Sequence, residues 1–176
     1  MLLGFALTAL AATAWAADSG PLTYAGQEAR AIKALSDREI GDLLAGSGMG
    51  YAKAAELNGY PGPRHVIDLA VALDLTPDQK AAAERLFQDM KQHATALGER
   101  LVAVEAELEA LFAAGAAEPE RVAALTARSA SIEGELRAVH LAAHVALRPV
   151  LTAHQRLRYD RLRGYGGGEG HVGHGH

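Results

Sequence analysis

The chain has 176 residues, of which 49% are hydrophobic and only 5% aromatic, and its formal net charge is −4. This length suits one domain with a modest core, and the abundance of alanine favours narrow contacts between helices. The charge gives no reason to expect nucleic acid as a partner. Because the sequence contains no cysteine, it excludes disulfides, thiolate metal sites and thiol catalysis.

Residues 1–17 form an apolar run that ends in the A-x-A pattern of Ala14, Trp15 and Ala16. The run is too short to span a bilayer comfortably and is typical of a secretory signal peptide, which predicts export. It has no Lys or Arg ahead of its apolar part. An apolar N-terminal helix of a cytoplasmic protein therefore stays open as the alternative.

Residues 18–63 are predicted to form an N-terminal extension built from short helices. The pattern predicts one helix over residues 27–35. Ser36 and Glu39 form a capping box that begins a second helix, since each side chain can bind a free backbone N–H of the other. A third short helix is predicted over residues 51–57, before a stretch rich in Gly and Pro that ends it.

Two later helix starts share the pattern Leu-Thr-x-x-Gln. The motif residues are Leu75, Thr76 and Gln79 in the first, and Leu151, Thr152 and Gln155 in the second. In each, the Thr hydroxyl caps the helix and the Gln side chain returns to the backbone of the cap, which is a capping box. Short helices are predicted over residues 64–73 and 153–162. Pro149 should break or kink the chain before the second motif.

Between the two motifs, apolar residues at alternating spacings of three and four predict an all-α fold with a long antiparallel helical hairpin. Gly115 and Pro119 mark its turn. The two interface stripes are Ala83, Leu86, Met90, His93, Leu97, Leu101, Val104, Leu108 and Leu111, and Val122, Leu125, Ser129, Ile132, Leu136, Val139, Ala143, Ala146 and Val150. The first stripe requires a stutter near Leu97. Facing positions have a constant sum of residue numbers, which pairs His93 with His140.

This register gathers His93, His140, His144 and Met90 at one level of the hairpin. His140 and His144 lie one turn apart, about 5–6 Å between Cβ atoms, so two imidazoles can bind one ion. A buried His93 needs a hydrogen bond or a metal. The cluster predicts a site for Cu, Ni, Co or Zn, and exposed structural histidines are the alternative. Met90 either adds a soft ligand, which favours copper, or fills the interface.

Other histidines are assigned separately. His65 is expected to belong to the turn and helix after Pro63, and His154 to structure or solvent. Residues 164–176 are rich in glycine, carry His171, His174 and His176, and are predicted to be disordered. These tail histidines either assist metal binding or have no function.

The paired Leu-Thr-x-x-Gln motifs, separated by a helical hairpin in a cysteine-free chain with a signal-like start, resemble the Spy/CpxP family. That family includes periplasmic chaperones, zinc-binding ZraP-like proteins and nickel/cobalt-sensing CnrX-like proteins. The resemblance covers about residues 64–163. It implies a hooked four-helix hairpin that forms an antiparallel homodimer. His140 and His144 match in kind the ligand pair of the nickel/cobalt sensor, although the second member there is Met, and no His precedes His65 to supply that sensor's H-x-x-x-H pattern.

We therefore predict a periplasmic, metal-responsive stress or resistance protein that binds a transition metal between the hairpin arms. The alternative is an ATP-independent holdase whose dimeric cradle binds unfolded clients. A membrane-anchored signalling protein is a further expected partner. The sequence contains no G-x-S-x-G, H-E-x-x-H or phosphate-binding loop, so we expect no enzymatic activity.

Overall fold

The computed structural model describes residues 24–165, and every regular element in that range is helical. In chain order the elements are α1 (Asp37–Leu44), α2 (Lys53–Glu56), α3 (Pro63–Asp68), α4 (Pro77–Ala113), α5 (Pro119–Leu147), a 3₁₀ turn (Arg148–Val150) and α6 (Ala153–Leu162). The predicted all-α class with a long hairpin is confirmed. The predicted signal peptide and the three tail histidines lie outside the described residues.

Helices α4 and α5 form the hairpin, with 37 and 29 residues respectively. Gly115 adopts a left-handed conformation after α4, with φ 64°, and Pro119 begins α5. The buried residues between the arms, together with one residue of α1, are Leu43, Ala94, Leu97, Leu101, Val104, Leu111, Leu125, Ile132 and Leu136. Burial of these apolar side chains holds the two arms together along their length.

The interface stripe of α4 passes through Ala94, which is fully buried, whereas His93 is exposed. With Ala94, the steps from Met90 to Leu101 keep alternating between four and three residues. The predicted position of the stutter near Leu97 was therefore wrong, because the two consecutive steps of four fall at Leu86, Met90 and Ala94 instead.

A further irregular step lies in α5, where the buried stripe advances by four residues twice in succession around Leu136. It continues through His140, Ala143 and Leu147, all of which are buried. Ala146, predicted at the interface, is exposed. Because of this irregular step, His140 faces the N-terminal segment, which packs against this part of the hairpin.

The predicted helix over residues 27–35 was wrong, because isolated turns occupy this stretch. Contacts with α4 decide its conformation. Ile32 is buried, and the backbone N–H of Lys33 donates to the Glu109 carboxylate at 3.2 Å. The predicted helices over residues 51–57 and 64–73 are shorter in the structure, and their ends are turns.

Helix α1 approaches α4 so closely that only glycine fits at position 98. A Cβ atom built on Gly98 would lie 2.1 Å from the carbonyl oxygen of Leu43. This contact places the loop after α1 against the middle of α4 and α5, where it forms one wall of a cleft.

A second core joins α3, the start of α4, the end of α5 and α6. Its buried members are Val66, Leu73, Ala83, Leu147, Leu151 and Tyr159. Both Leu-Thr-x-x-Gln capping boxes are formed at this end of the hairpin. Among residues 24–165, no helix has the length and apolar character needed to cross a membrane.

Candidate metal centre

A cleft of about 410 Å³ lies between the loop after α1, α3, α4 and α5. Its lining includes the side chains of His65, Met90, His140 and His144. The structure thus brings together three of the predicted ligands, and it adds His65, which the sequence analysis had assigned to a structural role.

His93 does not take part in this cleft. It lies on the exposed face of α4, and its Nδ1 is 2.7 Å from the carbonyl oxygen of Asp89 in the same helix. The predicted pairing of His93 with His140 was wrong, because Ala94 occupies the interface position.

His140 is 2% exposed, and its ring stacks on Tyr51 with 5.6 Å between ring centroids. Its Nε2 atom is buried without a hydrogen-bond partner. Burial lowers the pKa of His140, and the neighbouring His144 lowers it further. The ring is therefore held in its neutral form, which is the form that binds metals. An unpaired buried nitrogen costs folding free energy, so the position is suited to a ligand rather than to stability.

His144 is held by a hydrogen bond from its Nδ1 to the carbonyl oxygen of Tyr60, at 2.8 Å. Because a carbonyl oxygen only accepts, Nδ1 carries the proton and the lone pair is on Nε2. Metal-binding histidines are commonly oriented by such a bond on the other nitrogen. Gly62 makes room for this ring, since a Cβ atom there would lie 2.9 Å from Cε1 of His144.

His65 enters the cleft from α3 and is half-buried. Burial lowers its pKa, and the charge of Arg163 lowers it further. The register of the hairpin could not place this residue, because α3 belongs to neither arm. The turn at Pro61, Gly62 and Pro63 was the available signal, since it returns the chain toward α5.

Glu56 of α2 lies behind the histidines and was also missed from the sequence. Its side chain is 12% exposed, and its Oε2 is 3.7 Å from Nδ1 of His144. The hydroxyl of Tyr159 donates to Oε1 at 2.5 Å, and the N–H of Gly62 donates to Oε2 at 3.1 Å. Burial and the bond to Glu56 raise the pKa of Tyr159. The carboxylate therefore connects α2 to α5 and α6.

The donor atoms in the cleft fit a transition metal in kind: imidazole nitrogens suit Zn, Cu and Ni, and a thioether suits Cu. Two of these nitrogens, Nε2 of His140 and Nε2 of His144, belong to residues one turn apart on α5. Within residues 24–165, however, no group of three or more His, Cys, Asp or Glu side chains is arranged to hold a metal ion.

A family model described as heavy-metal resistance matches residues 43–158 of the chain. That range begins in α1 and ends in α6, so it contains the hairpin and all the histidines of the cleft. Neither the curated proteins nor the solved structures gave a match. Because the family model covers well over half of its residues, the chain belongs to the heavy-metal resistance family, the Spy/CpxP-like group.

Proposed function

We propose that the protein is a periplasmic metal-resistance or metal-sensing protein that binds a transition-metal ion in the cleft. His140 and His144 are the principal ligands, and His65 and Met90 assist them. The observation that carries this proposal is the buried Nε2 of His140, which has no partner, on a residue that lines a cleft together with two more histidines. Membership of a heavy-metal resistance family supports the same function.

A bound ion would change how the elements around the cleft are held together. His65 belongs to α3, whereas His140 and His144 belong to α5. An ion shared between them links two elements that otherwise meet through packing, and it stabilises the folded state in proportion to its affinity. This linkage provides a physical route from metal binding to a changed surface. We propose that the protein binds the metal ion and either buffers it or signals its presence, without catalysis.

Metal titration of the full chain tests this function. Cu(II), Ni(II), Co(II) and Zn(II) are titrated calorimetrically into the wild-type protein, a His140→Ala/His144→Ala variant and a His93→Ala variant. Because His93 is exposed and lies outside the cleft, it provides a matched control. We expect submicromolar binding of at least one ion, lost in the double variant and retained in the control. Unchanged binding in the double variant would refute the site.

The holdase alternative has one supporting observation, which is the exposure of large apolar side chains. Val71 is 94% exposed and Phe112 is 58% exposed. These side chains belong to different elements, α4 and the turn after α3, which makes them weaker evidence than the cleft. Suppression of the aggregation of a denatured client by the metal-free protein, lost in a Val71→Ser/Phe112→Ser variant, would favour the holdase function.

A further inference from the structure

Two methionines lie near the histidines of the cleft. Met49 and Met90 are the methionines of residues 24–165, and they belong to the loop after α1 and to α4. Met90 lines the cleft, and Met49 lines a neighbouring hollow of about 410 Å³. His65 and His144 line both spaces. The two histidines are therefore shared between a space with one methionine and a space with the other.

The loop that carries Met49 is held against both walls of the cleft. At its start, a Cβ atom built on Gly46 would lie 2.9 Å from the carbonyl oxygen of Lys91, so the loop packs directly on α4. At its end, Tyr51 stacks on His140 of α5, with 5.6 Å between ring centroids. These contacts fix both ends of the loop and place Met49 close to both long helices.

Met49 has a backbone conformation that residues other than glycine rarely adopt. Its φ is 43°, in the left-handed region, and the residue is 42% exposed. With this exposure it contributes little to the core, so packing does not explain a methionine at this position. Strained residues of this kind cluster at ligand-binding sites and switch regions. The strain therefore supports a role for Met49 toward a ligand.

The charges around the cleft disfavour a divalent ion. Among the described residues that line it, Arg64 and Lys91 are cationic and none is Asp or Glu, although Asp68 pairs with Arg64 at 3.1 Å. Glu56 lines the neighbouring hollow, where its carboxylate accepts a bond from the hydroxyl of Tyr159 at 2.5 Å. The cost of burying an ion and its repulsion by nearby cations both grow with its charge. A monovalent ion is therefore disfavoured less than a divalent one.

The donor atoms point in the same direction as the charges. Thioethers are soft, polarisable ligands, and soft sulfur ligands select Cu(I) among the biological transition metals. Cu(I) also accepts fewer donors than the about four of a Zn(II) site. This accords with a described chain, residues 24–165, in which no three His, Cys, Asp or Glu side chains form a group that could hold an ion.

We propose that the cleft binds Cu(I) in preference to divalent ions, with the thioethers of Met49 and Met90 as ligands beside His140 and His144. This inference rests on the proposed function and names the class of ion that its site takes. Met90 is supplied by α4, Met49 by the loop after α1, and the two histidines by α5. Binding of one Cu(I) ion therefore links the loop to both arms of the hairpin.

The first test observes the thioethers directly by NMR. The full chain is labelled with methyl-¹³C methionine, and Met49→Leu and Met90→Leu assign the methyl signals. One equivalent of Ag(I), a soft ion that is stable to oxidation, or of Cu(I) without oxygen is then added. We expect both methyl signals to shift with either ion and to move much less with Zn(II). Leu157→Met is the matched control, because residue 157 is 58% exposed on α6 and the methyl signal introduced there should not shift.

The second test measures selectivity. The wild-type chain, the Met49→Leu/Met90→Leu variant and the Leu157→Met control are titrated with Cu(I) and with Zn(II) in competition with chromophoric chelators. Leucine keeps the volume of methionine and removes only the sulfur. We expect one Cu(I) per wild-type chain, and in the double variant a Cu(I) affinity at least about 10-fold weaker, the lower end of what changes around a metal site commonly cost. The Zn(II) affinity of that variant should change little, and the control should match the wild type.

The outcomes separate this inference from the function on which it rests. If neither methyl signal shifts, or if the double variant keeps its Cu(I) affinity, the thioethers are not ligands, while metal binding by the histidines stands. A shift of Met90 alone overturns the role of Met49. An equal loss of Cu(I) and Zn(II) affinity overturns the selectivity. If the His140→Ala/His144→Ala variant binds every ion as tightly as the wild type, both proposals fail.

Discussion

Gln79 and Gln155 exchange a pair of hydrogen bonds, with each Nε2 lying 2.9 Å from the Oε1 of the other. Each oxygen also accepts the backbone N–H of the threonine that caps its own helix, Thr76 at 3.0 Å and Thr152 at 2.9 Å. The second proton of the Gln79 amide is donated to the carbonyl oxygen of Val150 at 2.9 Å. The two Leu-Thr-x-x-Gln motifs are therefore one structural unit, which joins the start of α4 to the start of α6.

This unit predicts strong coupling between the two glutamines. Gln155 is 8% exposed, so Gln155→Ala leaves buried polar groups unpaired and should reduce the free energy of unfolding by about 2–4 kcal/mol. Urea denaturation of the single variants and of the Gln79→Ala/Gln155→Ala double variant measures the coupling. We expect the double variant to lose less than the sum of the single losses. Additive losses would contradict the shared unit, and Gln92→Ala, on the exposed face of α4, serves as the surface control.

The close approach of α1 to α4 predicts opposite effects for two Gly→Ala substitutions. A Cβ atom at Gly98 would meet the backbone of Leu43 at 2.1 Å, whereas a Cβ atom at Gly134 would meet nothing within 4 Å. Gly134→Ala should stabilise α5 by about 0.5–1 kcal/mol, because alanine favours the helix. Gly98→Ala should instead destabilise the protein by about 1–3 kcal/mol, since the backbones must separate. Thermal denaturation of both variants checks the signs, and stabilisation by Gly98→Ala would contradict the packing.

The hairpin and its caps were predictable from the sequence because their signals are local. A capping box spans four residues, and the spacing of apolar residues along each arm identifies the face that packs. The choice between His93 and Ala94 was less determined, since alanine is common on every face of this chain. Ala94 keeps the alternation toward Leu97 and Leu101, whereas His93 keeps it toward Leu86, so the spacing alone did not decide between them.

The composition of the cleft was only partly predictable. His140 and His144 lie on one helix, and their spacing of four residues places them together. His65 and Glu56, behind it, lie on short helices. Their positions follow from how those elements pack on the hairpin, for which one sequence contains no periodic signal. The turns over residues 27–35 were missed for the same reason, because contacts with α4 override the local helical pattern.

The unpaired nitrogen of His140 predicts a trade-off between stability and metal binding. His140→Phe keeps a ring of similar shape for stacking on Tyr51 and removes the buried Nε2 that has no partner. We expect the metal-free variant to be more stable by about 1 kcal/mol, which raises Tm by about 2–4 °C. The increase in Tm that Zn(II) or Co(II) gives the wild type should disappear. Calorimetric melting with chelator and with metal measures both effects. Lower stability of the chelated variant would contradict this account, and His154→Phe is the exposed control.

The lowered pKa of His140 predicts that the metal-free protein loses stability in mild acid. The unfolded chain takes up a proton near the ordinary histidine pKa of about 6.5, whereas the buried ring in the folded protein resists protonation. Titration of His140 should therefore leave the free energy of unfolding unchanged above about pH 6.5. Below that pH the free energy of unfolding should decrease as the pH falls toward the folded-state pKa of His140. His65, whose pKa is also lowered, adds to the decrease. Urea unfolding at several pH values with chelator present should show a smaller decrease in His140→Phe, and an equal decrease would refute the assignment.

The carboxylate of Glu56 predicts a large effect for a substitution that barely changes volume. It accepts hydrogen bonds from the hydroxyls of Tyr159 and Tyr165, and the guanidinium of Arg163 lies 3.4 Å from its Oε1. Glu56→Gln removes the negative charge that all these donors contact. The new side-chain amide also places N–H groups, which are themselves donors, against them. We expect a loss of about 2–4 kcal/mol in the free energy of unfolding.

The matched control for this change is Glu84→Gln. Glu84 is 50% exposed and pairs with Lys80 at 3.8 Å, so its loss should cost less than about 1 kcal/mol. Tyr159→Phe removes the shortest of the bonds to Glu56, and because the two changes act on one contact, the combined Glu56→Gln/Tyr159→Phe variant should lose less than the sum of the single losses. Urea denaturation measures all four proteins. If Glu56→Gln costs no more than Glu84→Gln, the carboxylate does not hold α2, α5 and α6 together.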